Sequence, residues 1–508
     1  MNSQATIIEK KNLSKLIKGA TINIGGDFLS KFLLFGITLL LARILSTAEL
    51  GIYFIAFSIS QIASIISTLG LRTAAVRYIS VYNAQNDDSR LAGTLIASLW
   101  ISGLFSIIVG AVLILASKSI TVTFFDRPEL SNILFFFAFA VPFESVMRIS
   151  LAALQGLKYM KYAVIVEKMA ILIIRLMLMI LLVSTMGWGL KGAAISYLGS
   201  MVCGMVMALY FCNNKIPLIK AGRRPRYDIN NLLRYSLPML PTTLMRNVAK
   251  EVEILLLGWL GSASLVGIYT VAIRLIGACE ITFLAFRQIF DPMIAELHFR
   301  NEIEQLSRLL KVTTKWAFTI SLPFFLGIMF FPSFFLSLFS EEISKGAMAL
   351  SLLLIGHLVS SLSQTSTSVI VMSGKSYLEL INNIFFLIAL FVLNYLLIPH
   401  YALMGTATAH MISISSLACI RFAEVHNMLK IHSLEKSFFK PIVAAIAILL
   451  IGWFTVGFDA QLPFVRMTII LIASFASYAG LLILFRLEDQ DLLMIDMIKS
   501  RLIKLYSK

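Results

Sequence analysis

The sequence predicts an all-α membrane protein of about fourteen transmembrane helices, with two six-helix lobes in parallel repeat around a central cavity plus two extra helices. Three observations support this fold class. Of the 508 residues, 58% are hydrophobic and 14% are charged, and the mean hydropathy is +0.87. A soluble domain carries roughly 25% charged residues, so this chain is solvated largely by lipid. Apolar stretches of about 20 residues recur along the chain, and a motif of the first half returns in the second.

Fourteen apolar segments are long enough to cross a bilayer as helices, which takes about 20 residues each. The second and sixth are rich in Gly, Ser and Ala, which favours close packing between helices. We place the spans at 20–45, 50–70, 92–116, 131–152, 160–185, 190–212, 236–259, 265–288, 312–338, 346–372, 377–398, 402–423, 440–457 and 464–485.

Positive charges are concentrated in every second connection, and this predicts the orientation of the chain. Examples are the connections that carry Arg72 and Arg77, and later Arg300 and Arg308, whereas the connection from Ser46 to Leu50 has no positive charge. By the positive-inside rule both termini lie in the cytoplasm, which agrees with an even number of spans. The net charge of +16 has the same origin. Nucleic acid is excluded as a partner because no soluble stretch is long enough to form a basic face.

A repeated motif relates the two halves. The stretch from Ala42 to Tyr53 returns from Gly258 to Tyr269, and both copies end in Gly-Ile-Tyr between two apolar segments. Because six segments separate the copies, both enter the membrane from the same side, so the repeat is parallel. A second similarity relates 155–159 to 373–377, and each is followed by a glycine and two small residues, at Gly192 and Gly405.

The charged, helix-breaking connection from Asn213 to Arg234 divides the first six spans from the next six. The tail mixes acidic and basic residues with Leu and Ile, which indicates an amphipathic helix on the inner membrane surface or, alternatively, a solvated tail. We predict an N-lobe at 1–222, a C-lobe at 223–438, two further spans at 439–485 and the cytoplasmic tail at 486–508.

Charged side chains inside the apolar segments are the candidate functional residues, because charge there is costly and usually faces a bundle interior or a water-filled cavity. Asp27 and Lys31 lie one turn apart, as do Glu144 and Arg148. Each pair is either a structural ion pair or part of a site. Lys31 and Arg246 are also near enough to a segment end to extend to the interface. Further in-span charges are Glu167, Lys168, Arg175, Lys250, Glu251 and Glu253.

Arg274 is the strongest single candidate, because it has no acidic residue at i±3 or i±4 and needs a partner on another helix or an anionic ligand. The excess of Arg and Lys over acids predicts a cationic cavity, and guanidinium groups hold phosphate through two parallel hydrogen bonds. We therefore predict a diphosphate-bearing substrate, bound by Arg274, Lys250, Arg246, Lys31, Arg175, Lys168 and Arg148. The candidates for proton or sodium coupling are Asp27, Glu144, Glu167 and Glu253.

Enzyme motifs are missing from the sequence. It has no G-x-x-x-x-G-K-[ST], no H-E-x-x-H and no G-x-S-x-G, its six histidines are scattered, and its four cysteines form no CxxC pair. We expect no enzymatic activity, no metal and no cofactor. Transport would then be driven by an ion gradient or the membrane potential. A membrane-bound glycosyltransferase or polymerase would carry a long outer loop, and the outer connections here are short.

Three stretches, Leu41–Tyr53, Leu69–Tyr78 and Val266–Leu275, resemble the polysaccharide flippases (Wzx-type, O-antigen) of the superfamily that also holds the MATE multidrug exporters and the lipid II flippase. The resemblance implies two lobes forming a V around a cavity, with alternating access to the two membrane faces. It implies translocation of an undecaprenyl-diphosphate-linked oligosaccharide from the inner to the outer leaflet, for surface polysaccharide such as lipopolysaccharide O-antigen or exopolysaccharide. Arg274 is similar in position to a cavity arginine of lipid II flippases.

Other functions stay open. A lipid II flippase is the nearest alternative, and a MATE-type multidrug exporter would favour acidic residues that hold cationic drugs. A purely structural scaffold for polysaccharide assembly is the alternative from another class. The expected partners are the lipid-linked oligosaccharide, membrane lipid and, as a further candidate, a polysaccharide polymerase or chain-length machinery. The expected location is the cytoplasmic (inner) membrane of a bacterium or archaeon.

Overall fold

The computed structural model describes residues 25–216, 225–430, 438, 440–446 and 472–481. Every regular element in these ranges is helical, which confirms the all-α fold class. The tail at 486–508 lies outside the described residues, as do the first 24 residues and most of the two spans predicted at 440–457 and 464–485.

The first half of the chain folds into helices joined by short turns. Two π-helical segments, Val164–Ala170 and Ile180–Thr185, flank the α-helix Ile171–Met179. Helical backbone therefore runs without a break from Met160 to Thr185. The helices are α1 (25–44), α2 (Thr47–Ser67), α3 (Leu71–Ala84), α4 (Asp88–Thr123), α5 (Pro128–Gly156), α6 (Met160–Ala163), α7 (Ile171–Met179) and α8 (Gly189–Lys215).

The second half follows the same order. Its helices are α9 (Ile229–Leu260), α10 (Ala263–Cys279), α11 (Ile281–Phe299), α12 (Ile303–Phe330), α13 (Pro332–Ser337), α14 (Ala347–Met372), α15 (Ser376–Leu429) and α16 (Ile472–Leu481), with a 3₁₀ turn at Ile343–Gly346.

The 54-residue α15 would be about 81 Å long at 1.5 Å per residue, far more than the roughly 30 Å hydrocarbon core of a bilayer. Ala402 resolves this, because its φ of 47° and ψ of −121° interrupt the helix. The two parts on either side of Ala402 correspond to the spans predicted at 377–398 and 402–423.

Seven helices of the described residues are long and apolar enough to cross a membrane. The count of fourteen spans stays a prediction. Two boundaries differ from expectation. The predicted connection with Arg72 and Arg77 contains a 14-residue helix, α3. The end predicted for the span at 265–288 is wrong, because α10 ends at Cys279 and the following α11 carries Arg287 and Asp291.

Turn geometry repeats between the halves. After α3 and after α11 an asparagine takes a left-handed conformation, with φ of 55° at Asn86 and 58° at Asn301. After α5 and after α14 the left-handed residue is Lys158 or Gly374, and the next residue donates its N–H five residues back in both cases. These are helix C-terminal turns of one type. They pair residues 158 and 374, so the predicted correspondence of 155–159 with 373–377 is shifted by two residues.

Packing divides the chain into two compact units. Unit 1 comprises Met1–Arg274, Leu338–Ile343 and Leu390–Thr406, and unit 2 comprises Leu275–Ser337, Ser344–Ala389 and Ala407–Lys508. In unit 1, α5 packs against α2, α3, α4 and α8, and α9 packs against α2 and α3. In unit 2, α14 packs against α11 and α12. The lobe boundary at residue 222 follows the repeat and stays a prediction.

Candidate functional site

The two copies of the repeated motif contact each other inside unit 1. The side-chain oxygens of Thr47 and Ser264 are 2.9 Å apart. A Cβ placed on Gly51 would overlap the carbonyl oxygen of Ala263, and one placed on Gly267 would overlap the carbonyl oxygen of Thr47. Residues 47 and 263 are equivalent in the repeat, as are 51 and 267, so the contact is reciprocal. It requires glycine on both helices and fixes α2 against α10.

Serine begins the helix in both motif copies. Ser46 caps α2 in a capping box, since its side chain accepts from the N–H of Glu49 and the Glu49 carboxylate accepts from the N–H of Ser46. The Ser262 side chain accepts from the N–H of Leu265 at 3.3 Å. Leucine cannot return a hydrogen bond, so the second copy has only half of the box.

One face of α2 connects several of the predicted site residues. Phe54, Ser58 and Gln61 follow each other at helical spacing and therefore share this face. Phe54 contacts Arg274, Ser58 donates to Glu251, and Gln61 bonds to both Arg148 and Tyr197. We call these three side chains the contact face of α2.

Arg274 lies at one end of the contact face of α2. Its guanidinium carbon is 4.4 Å from the centroid of the Phe54 ring, and one of its nitrogens donates to the Thr38 hydroxyl at 2.9 Å. Among the described residues no carboxylate is within 4.0 Å of it, and Glu251 acts on it only from farther away. Arg274 is therefore partly buried with an incompletely balanced positive charge, as its sequence context predicts.

Arg175 is the second arginine near this site in unit 1. It is more deeply buried than Arg274, and only 7% of it is exposed. Its guanidinium lies over the Tyr197 ring at 4.5 Å and its Nε is 3.4 Å from the Ser200 hydroxyl. It has no ion pair in the described part of the chain. Arg175 and Arg274 act on each other electrostatically, and both act on the hydroxyl of Tyr53.

The Tyr53 hydroxyl is buried and has no hydrogen-bond partner among the described residues. The equivalent tyrosine of the second motif copy, Tyr269, donates to Glu253 at 2.9 Å. A buried hydroxyl without a partner is costly. The first copy therefore holds an unused donor within reach of two arginine charges, which is a favourable environment for an anion.

Arg148 belongs to a closed hydrogen-bond network. It is 2.5 Å from Glu144 and 2.8 Å from the Gln61 carbonyl oxygen. Tyr197 donates to Glu144 at 3.0 Å, and the Gln61 amide donates to Tyr197 at 3.2 Å. The ion pair that the sequence left open for Glu144 and Arg148 is present. Its charges are balanced, so the network joins α2, α5 and α8 rather than offering a free cation.

Two other ion pairs lie near α1 and α3 and include predicted site residues. Asp27 forms an ion pair with Lys168 at 2.7 Å, on a different helix from the partner Lys31 that the sequence suggests. Glu167 is 3.4 Å from Arg72 of α3. Lys31 has partners of its own. These contacts hold the π-helical segment against neighbouring helices, and they use charge that was predicted for substrate or ion binding.

The remaining candidates are on α9. Lys250 is exposed, whereas the adjacent Glu251 accepts from Ser58 and Glu253 accepts from Tyr269. The backbone of Arg246 is helical, and its side chain lies outside the described part of the structure. Among the described residues no three His, Cys, Asp or Glu side chains are grouped to hold a metal ion.

Several participants could not be identified from sequence. Thr38, Gln61 and Tyr197 are common residues in membrane helices, and only the packing of separate helices brings them to charged partners. Tyr53 did carry a signal, since it belongs to the repeated Gly-Ile-Tyr and its environment differs between the copies. Taken together, the buried Arg175, the partly buried Arg274 and the Tyr53 hydroxyl, on α7, α10 and α2, offer hydrogen-bond donors to an oxyanion. The Thr38 hydroxyl already donates to the carbonyl oxygen of Leu34.

Solved structures of similar fold are transporters by their titles. The lipid II flippase MurJ in an inward closed conformation has a TM-score of 0.74 at 14% identity, covering 92% of this chain and 98% of that one. An inward-facing multidrug resistance MATE family transporter of the MOP superfamily gives 0.69 at 16%, covering 81% and 98%. A MOP superfamily transporter from Pyrococcus furiosus Vc1 (DSM3638) gives 0.57 at 17%, covering 81% and 96%. At these identities the likeness shows the fold.

Curated proteins give no match to the sequence. A family model does match it, over residues 16–298, which is more than half of the 508-residue chain. The matched region includes α1 to α10 and most of α11, and with them every residue of the site described above. The multi-pass helical fold of MOP-superfamily transporters accompanies that match. The chain belongs to the family of polysaccharide biosynthesis proteins.

Proposed function

We propose that the protein is a flippase that moves an undecaprenyl-diphosphate-linked oligosaccharide from the inner to the outer leaflet by alternating access. The family assignment supports an oligosaccharide-related role, and the fold is one used by a lipid II flippase. The observation that carries the proposal is the pair Arg274 and Arg175, a partly buried and a buried guanidinium group that act on each other electrostatically and have no ion pair in the described residues.

Two like charges in a low-dielectric interior repel, and an anion between them removes that cost. A diphosphate suits the geometry because guanidinium groups bind phosphate oxygens through paired hydrogen bonds. The Tyr53 hydroxyl would donate to the same oxygens. The isoprenoid tail stays in lipid, so only the charged head group and the sugars need a polar path. A MATE-type exporter of cationic drugs is disfavoured, because a drug cation would meet like charge here.

The proposal includes location, partners and energy source. We propose a place in the bacterial or archaeal cytoplasmic membrane with both termini in the cytoplasm, and a polysaccharide polymerase or chain-length machinery as the downstream partner. An ion gradient or the membrane potential would drive transport. Asp27, Glu144, Glu167 and Glu253 stay candidates for coupling, although each already has a polar partner.

The test replaces Arg274 in a strain that depends on this gene for surface polysaccharide. Arg274→Ala removes charge-assisted hydrogen bonds worth about 1.5–3 kcal/mol, or roughly 10- to 150-fold in binding of the diphosphate. We expect loss of surface polysaccharide and accumulation of lipid-linked precursor at unchanged protein abundance, with partial function in Arg274→Lys. Arg300→Ala is the matched control, because Arg300 is 60% exposed and pairs only with Glu296 on the surface.

Normal surface polysaccharide in Arg274→Ala would refute the proposed site. Rescue of a strain depleted of lipid II flippase would instead identify lipid II as the substrate. Drug resistance conferred without any polysaccharide phenotype would favour the exporter alternative.

A further inference from the structure

A cluster of three titratable side chains lies in unit 2, and none of the three belongs to the site described above. His357 of α14 has its Nδ1 2.9 Å from the Glu280 carboxylate, and its Nε2 is 3.0 Å from the Nε2 of His410 in α15. The two imidazole rings stack with centroids 4.9 Å apart, and the Phe386 ring contacts His410 edge-on. Glu280 occupies the break between α10 and α11.

Accessibility falls along this row of groups. The Glu280 side chain is 39% exposed and that of His357 is 10% exposed, whereas His410 is buried. A partly exposed carboxylate is thus connected through one imidazole to a second, buried imidazole.

We propose that Glu280, His357 and His410 form a binding site for a single proton. The argument rests on the facing Nε2 atoms. At 3.0 Å one Nε2 must donate and the other must accept, so only one of the two can carry hydrogen. Two imidazolium rings would place two N–H groups against each other, which forbids a second proton.

The proton count follows from the same contacts. Without the added proton, His357 donates from Nδ1 to Glu280 and accepts at Nε2 from His410, and the three groups carry a net charge of −1. One proton taken up by the histidine pair makes one ring an imidazolium, and the net charge becomes zero. Both hydrogen bonds are kept in both forms. The site therefore changes its charge by one with no rearrangement of its helices.

Other charged groups on the helices around the cluster are mostly engaged with one another. On α11, Arg287 pairs with Asp291 at 3.9 Å and Arg300 follows as the partner of Glu296. On α15, Arg421 pairs with Glu379 and Asn382 donates to Glu424. Thr314 of α12 contacts Thr365, which is eight residues and about 12 Å along α14 from His357. The remaining charged groups and histidines on these helices are His298, Glu304, Arg308, Lys311, Lys315, His400 and His426, and Arg274 of α10 precedes Glu280 by six residues.

Such a cluster could instead bind a metal ion or have a purely structural role. Among the described residues these three side chains are not grouped as a metal site, and a 3.0 Å separation of two nitrogens is a hydrogen bond. A structural role predicts no proton uptake. The proposal does not depend on the proposed substrate, because proton binding is measurable without transport.

The experiment is a pH titration of the full chain in lipid nanodiscs, with ¹⁵N-labelled histidine and the other four histidines replaced by glutamine (His298, His400, His426 and His432). Imidazole nitrogen shifts report which atoms carry hydrogen. We expect both rings to change together over one transition that takes up one proton. Two separate transitions that take up two protons, or no uptake between about pH 5 and pH 9, would overturn the proposal.

Glu280→Gln in the same background removes the negative charge and should move the midpoint of uptake to lower pH by about one unit, a tenfold weaker affinity for the proton. The matched control restores His400 in the background protein, since His400 is exposed and outside the cluster. It should add an independent transition and leave the coupled one unchanged. An unmoved midpoint in Glu280→Gln at unchanged thermal stability would contradict the role of the carboxylate. If that variant does not fold, the one-proton transition of the background protein still decides the proposal.

Discussion

The reciprocal contact between the two motif copies predicts that neither Gly51 nor Gly267 tolerates substitution, and that Gly51 tolerates it less, because a Cβ there would lie 1.7 Å from a carbonyl oxygen against 2.4 Å at Gly267. An alanine methyl at either position would overlap a backbone carbonyl oxygen of the facing helix, that of Ala263 or that of Thr47. A carbonyl held in a helix cannot turn away as a flexible side chain can, so the helices must separate. Overpacking of this kind costs about 1–3 kcal/mol, which exceeds or cancels the gain of up to about 1 kcal/mol that alanine brings to a helix.

Gly36→Ala is the matched control, because the same methyl in α1 meets nothing within 4 Å. The effect is measured by heating detergent-solubilised protein and quantifying the protein that remains folded by size-exclusion chromatography. A loss of 1 kcal/mol lowers the midpoint by about 2–4 °C in domains of 150–250 residues. We expect both Gly51→Ala and Gly267→Ala to melt below Gly36→Ala, with the larger loss in Gly51→Ala. A loss in only one of them, or in neither, would refute the reciprocal packing.

Two other predictions concern buried polar groups in unit 1. Tyr269→Phe removes the hydrogen bond that the tyrosine donates to Glu253 and should lower the free energy of unfolding by about 1–3 kcal/mol. Tyr53→Phe removes a hydroxyl that has no partner among the described residues and should be neutral in thermal unfolding. Equal effects would contradict the difference between the copies. Glu144→Ala leaves Arg148 uncompensated and should cost about 3–5 kcal/mol, and the double variant that also carries Arg148→Ala should recover part of this. A double variant as unstable as the sum of the two single ones would show that the pair is not coupled.

The sequence predicted the apolar helices well because their signal is local. Length and hydropathy suffice for α2, α4, α5, α8 and α14, and the equivalent serines of the two motif copies, Ser46 and Ser262, mark helix starts. Hydropathy alone could not find α3, because its 14 residues fall short of the roughly 20 that a span needs and include Arg72 and Arg77. The same limitation merged α10 with the start of α11, since the residues on either side of Glu280 at the break are apolar.

The site was less accessible to sequence reasoning than the fold. Arg274 was predictable because the absence of a nearby acid is itself a local property. Whether a charge is balanced by another helix is a long-range property, and this is why Lys168 and Arg148 were proposed as substrate ligands although they pair with Asp27 and Glu144. The two-residue shift in the second repeat has the same origin, since similar small residues align more readily than the left-handed turns that define the equivalence.

The contact of Gly51 with Ala263 and of Gly267 with Thr47 has the form of an isologous interface, in which one patch meets its own copy. Interfaces of this form arise between two identical chains. Here both patches belong to one chain. A mutation in a homodimer changes both sides of such an interface, whereas a mutation in a single chain changes one side only. The equivalent positions Ser58 and Arg274 can therefore be neutral in one copy and charged in the other within one molecule.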